Sequence, residues 1–158
     1  MSYETVKHIN VEGAILPNIP LSNLDLIGGA KKLQIKNFRD VFVRDELPTK
    51  PKINECGIIN LDDSSGNGTH WVCWLKQKDY KIYFDSYGLP PPVELLEYLK
   101  SPINYNSERI QPEDEVFCRH LCLYVLKKLS DGCYFQEITN SLYLRIVHAI
   151  RFYYCFTF

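Results

Sequence analysis

The sequence lacks any apolar run approaching the roughly 18 residues that a membrane span needs, and its opening, Met1-Ser-Tyr-Glu-Thr, has no basic stretch leading into an apolar core. Neither export nor membrane insertion is expected. Charge of one sign is also lacking: 18 basic residues stand against 19 acidic ones. That balance gives no indication of a nucleic-acid partner. Internal repeats, low-complexity blocks and linkers are absent. A chain of 158 residues then reads as one domain, 1–158, able to bury roughly 70% of its unfolded surface. Six cysteines at irregular spacing, without an export signal, read as reduced thiols rather than a disulfide framework.

The pattern that is present is mixed. Residues 1–20 carry Pro17 and Pro20 and little periodicity, and read as an extended arm. Ser22 is a candidate N-cap for a short helix with apolar Leu24, Ile27 and Leu33, interrupted or ended at Gly28-Gly29. Strands are expected over Arg39–Arg44 and Gly57–Leu61, followed by a turn-rich run, Asp62–Gly68. Asn60, Asp62 and Asp63 are assigned to that turn rather than to a cleft. Thr69–Leu75 and Lys81–Asp85 suggest a hairpin around Lys76–Asp79. Helices are expected over Val93–Lys100, with Leu95, Leu96 and Leu99 buried, over Cys118–Leu129, and over about 135–150. Residues 101–112 read as a polar loop, and 149–158 as an aromatic tail of uncertain role.

Hairpin counting relates two of these residues. With a four-residue loop, Leu75 pairs with Tyr80 and His70 falls opposite Asp85, where Cβ atoms stand about 4.5–5.5 Å apart. The carboxylate would then orient the imidazole and favour its charged form. Cys118 opens an apolar helix, and a thiol ionises more readily at a helix N-terminus beside an imidazolium. Gln111 and the Cys118 backbone N–H are candidate donors to an oxyanion. Glu113, Asp114 and Glu115 are expected to face solvent.

Gly68-Thr-His70-Trp71, Tyr83-Phe-Asp85-Ser-Tyr-Gly88 and Gln111, seven positions before Cys118, together resemble the adenovirus-type cysteine proteases (adenain-like) and their SUMO-protease relatives. Asn37-Phe-Arg-Asp-Val-Phe-Val-Arg-Asp-Glu-Leu-Pro48 and Gly57-Ile-Ile-Asn-Leu-Asp-Asp63 are most similar to the versions in Maverick/Polinton virus-like elements and related DNA viruses. The similarity runs from about Leu21 to Ile138.

The resemblance implies an α+β fold with a papain-like core, the nucleophile's helix packed on a sheet carrying His and Asp. It implies Cys118 as nucleophile, His70 as general base, Asp85 as its orienter, Gln111 as oxyanion donor and Trp71 as cleft wall beside the histidine. The implied activity is peptide-bond cleavage in capsid or core precursors during virion maturation, without metal or other cofactor. An activating peptide is left open. The implied location is the host cytoplasm or nucleus, or the virion itself.

One position departs from the pattern. Arg119 stands where the family usually has glycine, and at the cleft it would narrow the site or select an acidic substrate. Two alternatives stand beside this reading: an isopeptidase acting on SUMO or other ubiquitin-like modifiers, since that branch shares the site, and an inactive peptide-binding homologue, to which Arg119 points. Cys122 is expected in the core. His120 is expected at the surface or rim, since helical neighbours do not face one another. Cys118, His120, Cys122 and Cys133 share no structural-zinc spacing.

Overall fold

A computed structural model describes residues 8–11, 14–17, 19–78, 80–100, 102–111 and 117–155, with side chains described only between 19 and 145. The stretch expected as an extended arm instead contains β1 (His8–Val11) and β2 (Ala14–Pro17), an antiparallel pair. Helix α1 (Asn23–Lys32) begins where expected: the Ser22 hydroxyl accepts the Asp25 N–H at 3.1 Å, and the Asp25 carboxylate accepts the Ser22 N–H at 2.8 Å. It runs through Gly28-Gly29 without interruption. Each glycine costs a helix about 1 kcal/mol, and burial of Leu26 and Ala30 offsets this. The inward stripe is thus Leu26–Ala30–Leu33, whereas Leu24 and Ile27 are exposed.

The central sheet is built from β3 (Phe38–Val43), β4 (Asn54–Asn60), β5 (Trp71–Gln77) and β6 (Tyr80–Phe84). β3 and β4 are parallel, and β4, β5 and β6 are antiparallel neighbours. Helix α2 (Val93–Leu99) follows, burying Leu95 and Leu99 while Leu96, expected inside, is exposed. A short strand, β7 (Asn104–Tyr105), lies within the expected loop and pairs parallel with β6. Two residues are too few to show a period. The sheet order is β3-β4-β5-β6-β7.

Alternation along β5 divides the interior. Trp71, Cys73 and Leu75 enter one core, shared with residues of α1, α3 (Cys118–Ser130) and α4 (Phe135–Cys155). Val72 and Trp74 face the other, closed by Leu95, Tyr98 and Leu99 of α2. Helices thus cover both faces of an α+β mixed sheet. Helix α4 passes the expected end at about 150 and takes in much of the expected aromatic tail; no Gly or Pro after Phe135 stops it. Its side chains beyond 145, and residues 156–158, lie outside the described part. Among the described residues no helix is long and apolar enough to cross a membrane.

The hairpin register differs from expectation. Gln77 pairs with Tyr80 and Cys73 with Phe84, so the loop is shorter by two residues than a four-residue loop requires. Lys78 takes φ 50° in the turn. A slip of two keeps every side chain on its own face. Asp85 therefore stays on the His70 side of the sheet, but diagonally displaced rather than directly opposite.

Candidate active site

Three segments converge at one end of β5 and β6. His70 precedes β5, Asp85 follows β6, and Cys118 opens α3. All three are buried: His70 is 8% exposed, Asp85 0% and Cys118 7%. The His70 Nε2–H donates to Asp85 Oδ1 at 2.6 Å, a short charge-assisted bond. The ring's other nitrogen is thereby turned to the Cys118 sulfur, with which His70 is hydrogen bonded.

The electrostatics follow from this line of three groups. Burial draws the His70 pKa down, but hydrogen bonds to Asp85 and Cys118, together with their charges, overcome it and push it up to about 9. Burial pushes the Cys118 thiol up, yet the His70 hydrogen bond, the Trp71 backbone N–H and the charges of His70 and Arg119 hold it below the ordinary thiol value. Both shifts bias the pair toward imidazolium and thiolate. Helix α3 adds to this: Cys118 is its first residue, so the first-turn N–H groups and the positive end of the dipole lie at the sulfur. Two other buried thiols behave oppositely. Cys56 is pushed up to about 12 by burial, and Cys122 is driven well above the ordinary value by the same cause.

Gln111 is buried at 2% exposure. Its backbone N–H donates to the Ser86 carbonyl at 2.9 Å, and its Oε1 accepts the Ser86 hydroxyl at 2.9 Å. That fixes the amide with its acceptor end on Ser86 and its donor end turned away. Ser86 directly follows Asp85, so one turn ties Gln111 to the His70–Asp85 pair.

Asn106, Tyr87 and Gly88 hold the Asp85 turn in place, and of these Asn106 carries no signal of its own in the sequence. Asn106 is bonded twice to the Asp85 backbone: its Oδ1 accepts the N–H at 3.1 Å and its Nδ2 donates to the carbonyl at 2.6 Å. The Tyr87 N–H donates to Asp85 Oδ1 at 2.8 Å, and its ring stacks on His70 with centroids 4.3 Å apart. Gly88, at φ 72°, passes so close to the loop that an added Cβ would lie 2.8 Å from the Glu108 backbone carbon. The Asp85-Ser-Tyr-Gly88 run was the available cue, but their partners lie some twenty residues along the chain.

Trp71 joins the site through backbone and ring. Besides the backbone N–H on Cys118, its carbonyl accepts the Cys122 Sγ–H at 3.5 Å, and its buried ring lies under the Arg119 guanidinium. Arg119 lies beside Cys118, packed over this ring. His120 is not at the surface as expected: it is 3% exposed, with its ring edge-on to Phe117 at 5.8 Å. Asn60, Asp62 and Asp63 follow turn chemistry. Asn60 Oδ1 accepts the Asp62 N–H, Asp62 accepts the Gly68 N–H, and Asp63 accepts from Ser65. Residues 112–116, including Glu113, Asp114 and Glu115, lie outside the described part.

No protein-family model matches the chain, and no curated protein sequence matches it. Among solved structures, the chain is similar to the ASFV pS273R protease, with a TM-score of 0.50 and 14% identity over 77% of this chain and 62% of that one. A selenomethionine crystal structure of the same protease aligns at a TM-score of 0.45 and 19% identity, covering 60% of this chain and 43% of that one. The chain therefore spans less than two thirds of the length of these proteases. The likeness is one of fold: an α+β arrangement, here with a five-stranded mixed sheet.

Proposed function

We propose that this chain is a cysteine endopeptidase. The observation that carries the proposal is His70 held between Asp85 and a Cys118 whose thiol is biased toward the thiolate at a helix N-terminus. The fold shared with the ASFV pS273R protease supports it.

In this reading the Cys118 thiolate attacks the scissile carbonyl, forming a tetrahedral oxyanion held by the Gln111 Nε2–H and the Cys118 N–H. Protonated His70 donates to the departing amine as the C–N bond breaks, leaving a thioester. Neutral His70 then takes a proton from water, whose oxygen attacks the thioester, and the thiolate departs as the acid product leaves. No residue role here calls for a metal. The proposed substrates are capsid or core precursors of a virus or a Maverick/Polinton-like element, cleaved in the host cell or in the assembling particle. An activating peptide belongs to the same proposal.

The deciding experiment pairs an activity-based thiol probe ending in Gly-Gly with a panel of precursor-derived peptides. Labelling lost in Cys118→Ala and kept in Cys122→Ala, with peptide cleavage, is the expected result. Labelling of Cys122 or Cys133 in place of Cys118, or of no cysteine between pH 6 and 9, overturns the reading. Cleavage of SUMO conjugates alone would transfer the same site to an isopeptidase. Probe labelling with no cleavage of any substrate would favour a peptide-binding homologue.

A further inference from the structure

Arg119 is the second residue of α3 and leaves the helix in two directions at once. Its Nη1 donates to the backbone carbonyl of Leu21, the buried residue immediately before the N-cap of α1. Its guanidinium carbon lies 3.5 Å from the centroid of the Trp71 ring, in the range of a strong cation–π contact. The far edge of that ring is closed by Gly68, where an added Cβ would stand 2.6 Å from Trp71 Cη2. The Trp71 backbone, meanwhile, is bonded to both Cys118 and Cys122. Trp71 is therefore gripped on ring face, ring edge and backbone, and Arg119 supplies the face.

We propose that Arg119 is a positioning residue: laid on Trp71 and tied to Leu21, it locks the cleft wall onto α3 and fixes a positive charge beside Cys118. A planar guanidinium suits both contacts together, since it can stack through its face while donating from its edge. An ammonium cannot do both as well. With one nitrogen on a carbonyl and its face on an indole, Arg119 acts on the site through Trp71 and through its charge, not by gripping a substrate carboxylate. Its charge favours the thiolate over the thiol; Arg119 is among the groups that hold the Cys118 pKa down. The inference rests on Cys118 being the reactive thiol of the proposed protease.

The test is the pH dependence of Cys118 alkylation by iodoacetamide, resolved by mass spectrometry of the Cys118 peptide, in the parent chain, Arg119→Gln and Arg119→Lys. Circular dichroism confirms that each is folded. Arg119→Gln is expected to react severalfold more slowly on the acid side of its profile, as the midpoint moves up. It should lose cleavage of acidic and neutral peptides alike. Arg119→Lys keeps the charge, so its profile should follow the parent's, while KM for peptide rises as Trp71 loses its cover.

A Gln variant whose profile superimposes on the parent's overturns the charge role, and a loss confined to acidic peptides overturns positioning in favour of substrate contact. Should Arg119→Gln not fold, Arg119→Lys decides: a parental profile with raised KM supports the inference, and unchanged KM overturns it. A shifted profile in Arg119→Gln when the parent cleaves no peptide removes the protease reading and leaves this one standing. Absence of Cys118 alkylation in the parent removes both.

Discussion

His70 and Asp85 make their 2.6 Å hydrogen bond across a diagonal of the hairpin, not across a rung. With Cys73 opposite Phe84, continuing the ladder places Val72 opposite Asp85 and Tyr87 opposite His70. Tyr87 accordingly stacks on the imidazole, while Asp85, just past the end of β6, reaches back to the ring. The carboxylate thus binds one ring edge while the tyrosine covers one face, leaving the opposite edge for the sulfur.

The pH profile of peptide cleavage should expose this arrangement. In the proposed mechanism His70 must carry its proton to release the amine, and its pKa of about 9 keeps it charged through neutrality. Activity is expected to fall as pH rises through about 9. The acid limb, where Cys118 becomes a neutral thiol, should lie below the ordinary thiol range; the two limbs belong to the coupled pair rather than to single residues. Asp85→Asn removes the bond and charge that raise His70 but leaves its burial, so the alkaline limb should move to lower pH and kcat fall by roughly 10²–10⁴-fold.

Gln111 and Ser86 separate donation from orientation. Gln111→Ala removes the proposed oxyanion donor and should lower kcat by about 10²–10³-fold, with KM little changed, because the bond matters when charge develops on the carbonyl oxygen. Ser86→Ala leaves the amide in place but frees its Oε1 from the 2.9 Å bond. A smaller loss, again in kcat, is expected. Equal losses in both variants would mean that Ser86 does more than hold the amide.

The identity of the converging residues was legible in the sequence, but the geometry joining them was only partly so. Counting outward along β5 and β6 reported the face correctly, because the side-chain period is two and the register differs by an even number. The loop length was not readable: tight hairpin turns are signalled by Asn-Gly or Asp-Gly, whereas Lys76-Gln-Lys-Asp79 is uniformly polar and contains no glycine. Gly28-Gly29 suggested a break that tertiary burial of Leu26 and Ala30 overrides. His120 meets Phe117 one turn back on the same helix, but its burial depends on what the fold packs around α3, and the grip of Asn106 on Asp85 joins segments twenty-one residues apart.

Glu55 is a second buried charge that pattern reading passed over, since it sits in β4 among Cys56, Ile58 and Ile59. At 1% exposure, it accepts from Arg39 and Tyr98 at 2.6 Å, from the Lys52 N–H at 2.9 Å and from the Trp74 indole at 3.3 Å. Burial pushes its pKa up, but these donors and the Arg39 charge together hold it below the ordinary glutamate value. Its contribution to stability is therefore present above its unfolded pKa and is lost as pH falls through the lower folded value. Glu55→Ala takes the carboxylate from a half-buried Arg39 and from two buried side-chain donors, Tyr98 and Trp74, and should cost about 3 kcal/mol in denaturant unfolding. The variant that folds should keep the parental pH profile for Cys118 alkylation, because this network belongs to the core on the α2 side.

Asn106 offers the complementary case, a polar residue whose loss should disturb both stability and the site. Its side chain satisfies the Asp85 N–H and carbonyl, and it also donates to the Glu108 carbonyl at 3.2 Å. In Asn106→Ala the buried Asp85 backbone loses both partners, which should cost about 1–3 kcal/mol. Asp85 would then drift relative to His70, weakening the bond that raises the imidazole pKa. The alkaline limb of cleavage should therefore shift downward, in the direction expected for Asp85→Asn but by less. Asn106→Asp retains an acceptor for the Asp85 N–H but opposes a carboxylate to the Asp85 carbonyl, so it should rescue little of the stability. Unfolding by urea and a pH–rate profile on each variant separate the outcomes: a stability loss with an unmoved alkaline limb would show that Asn106 supports the loop without orienting Asp85.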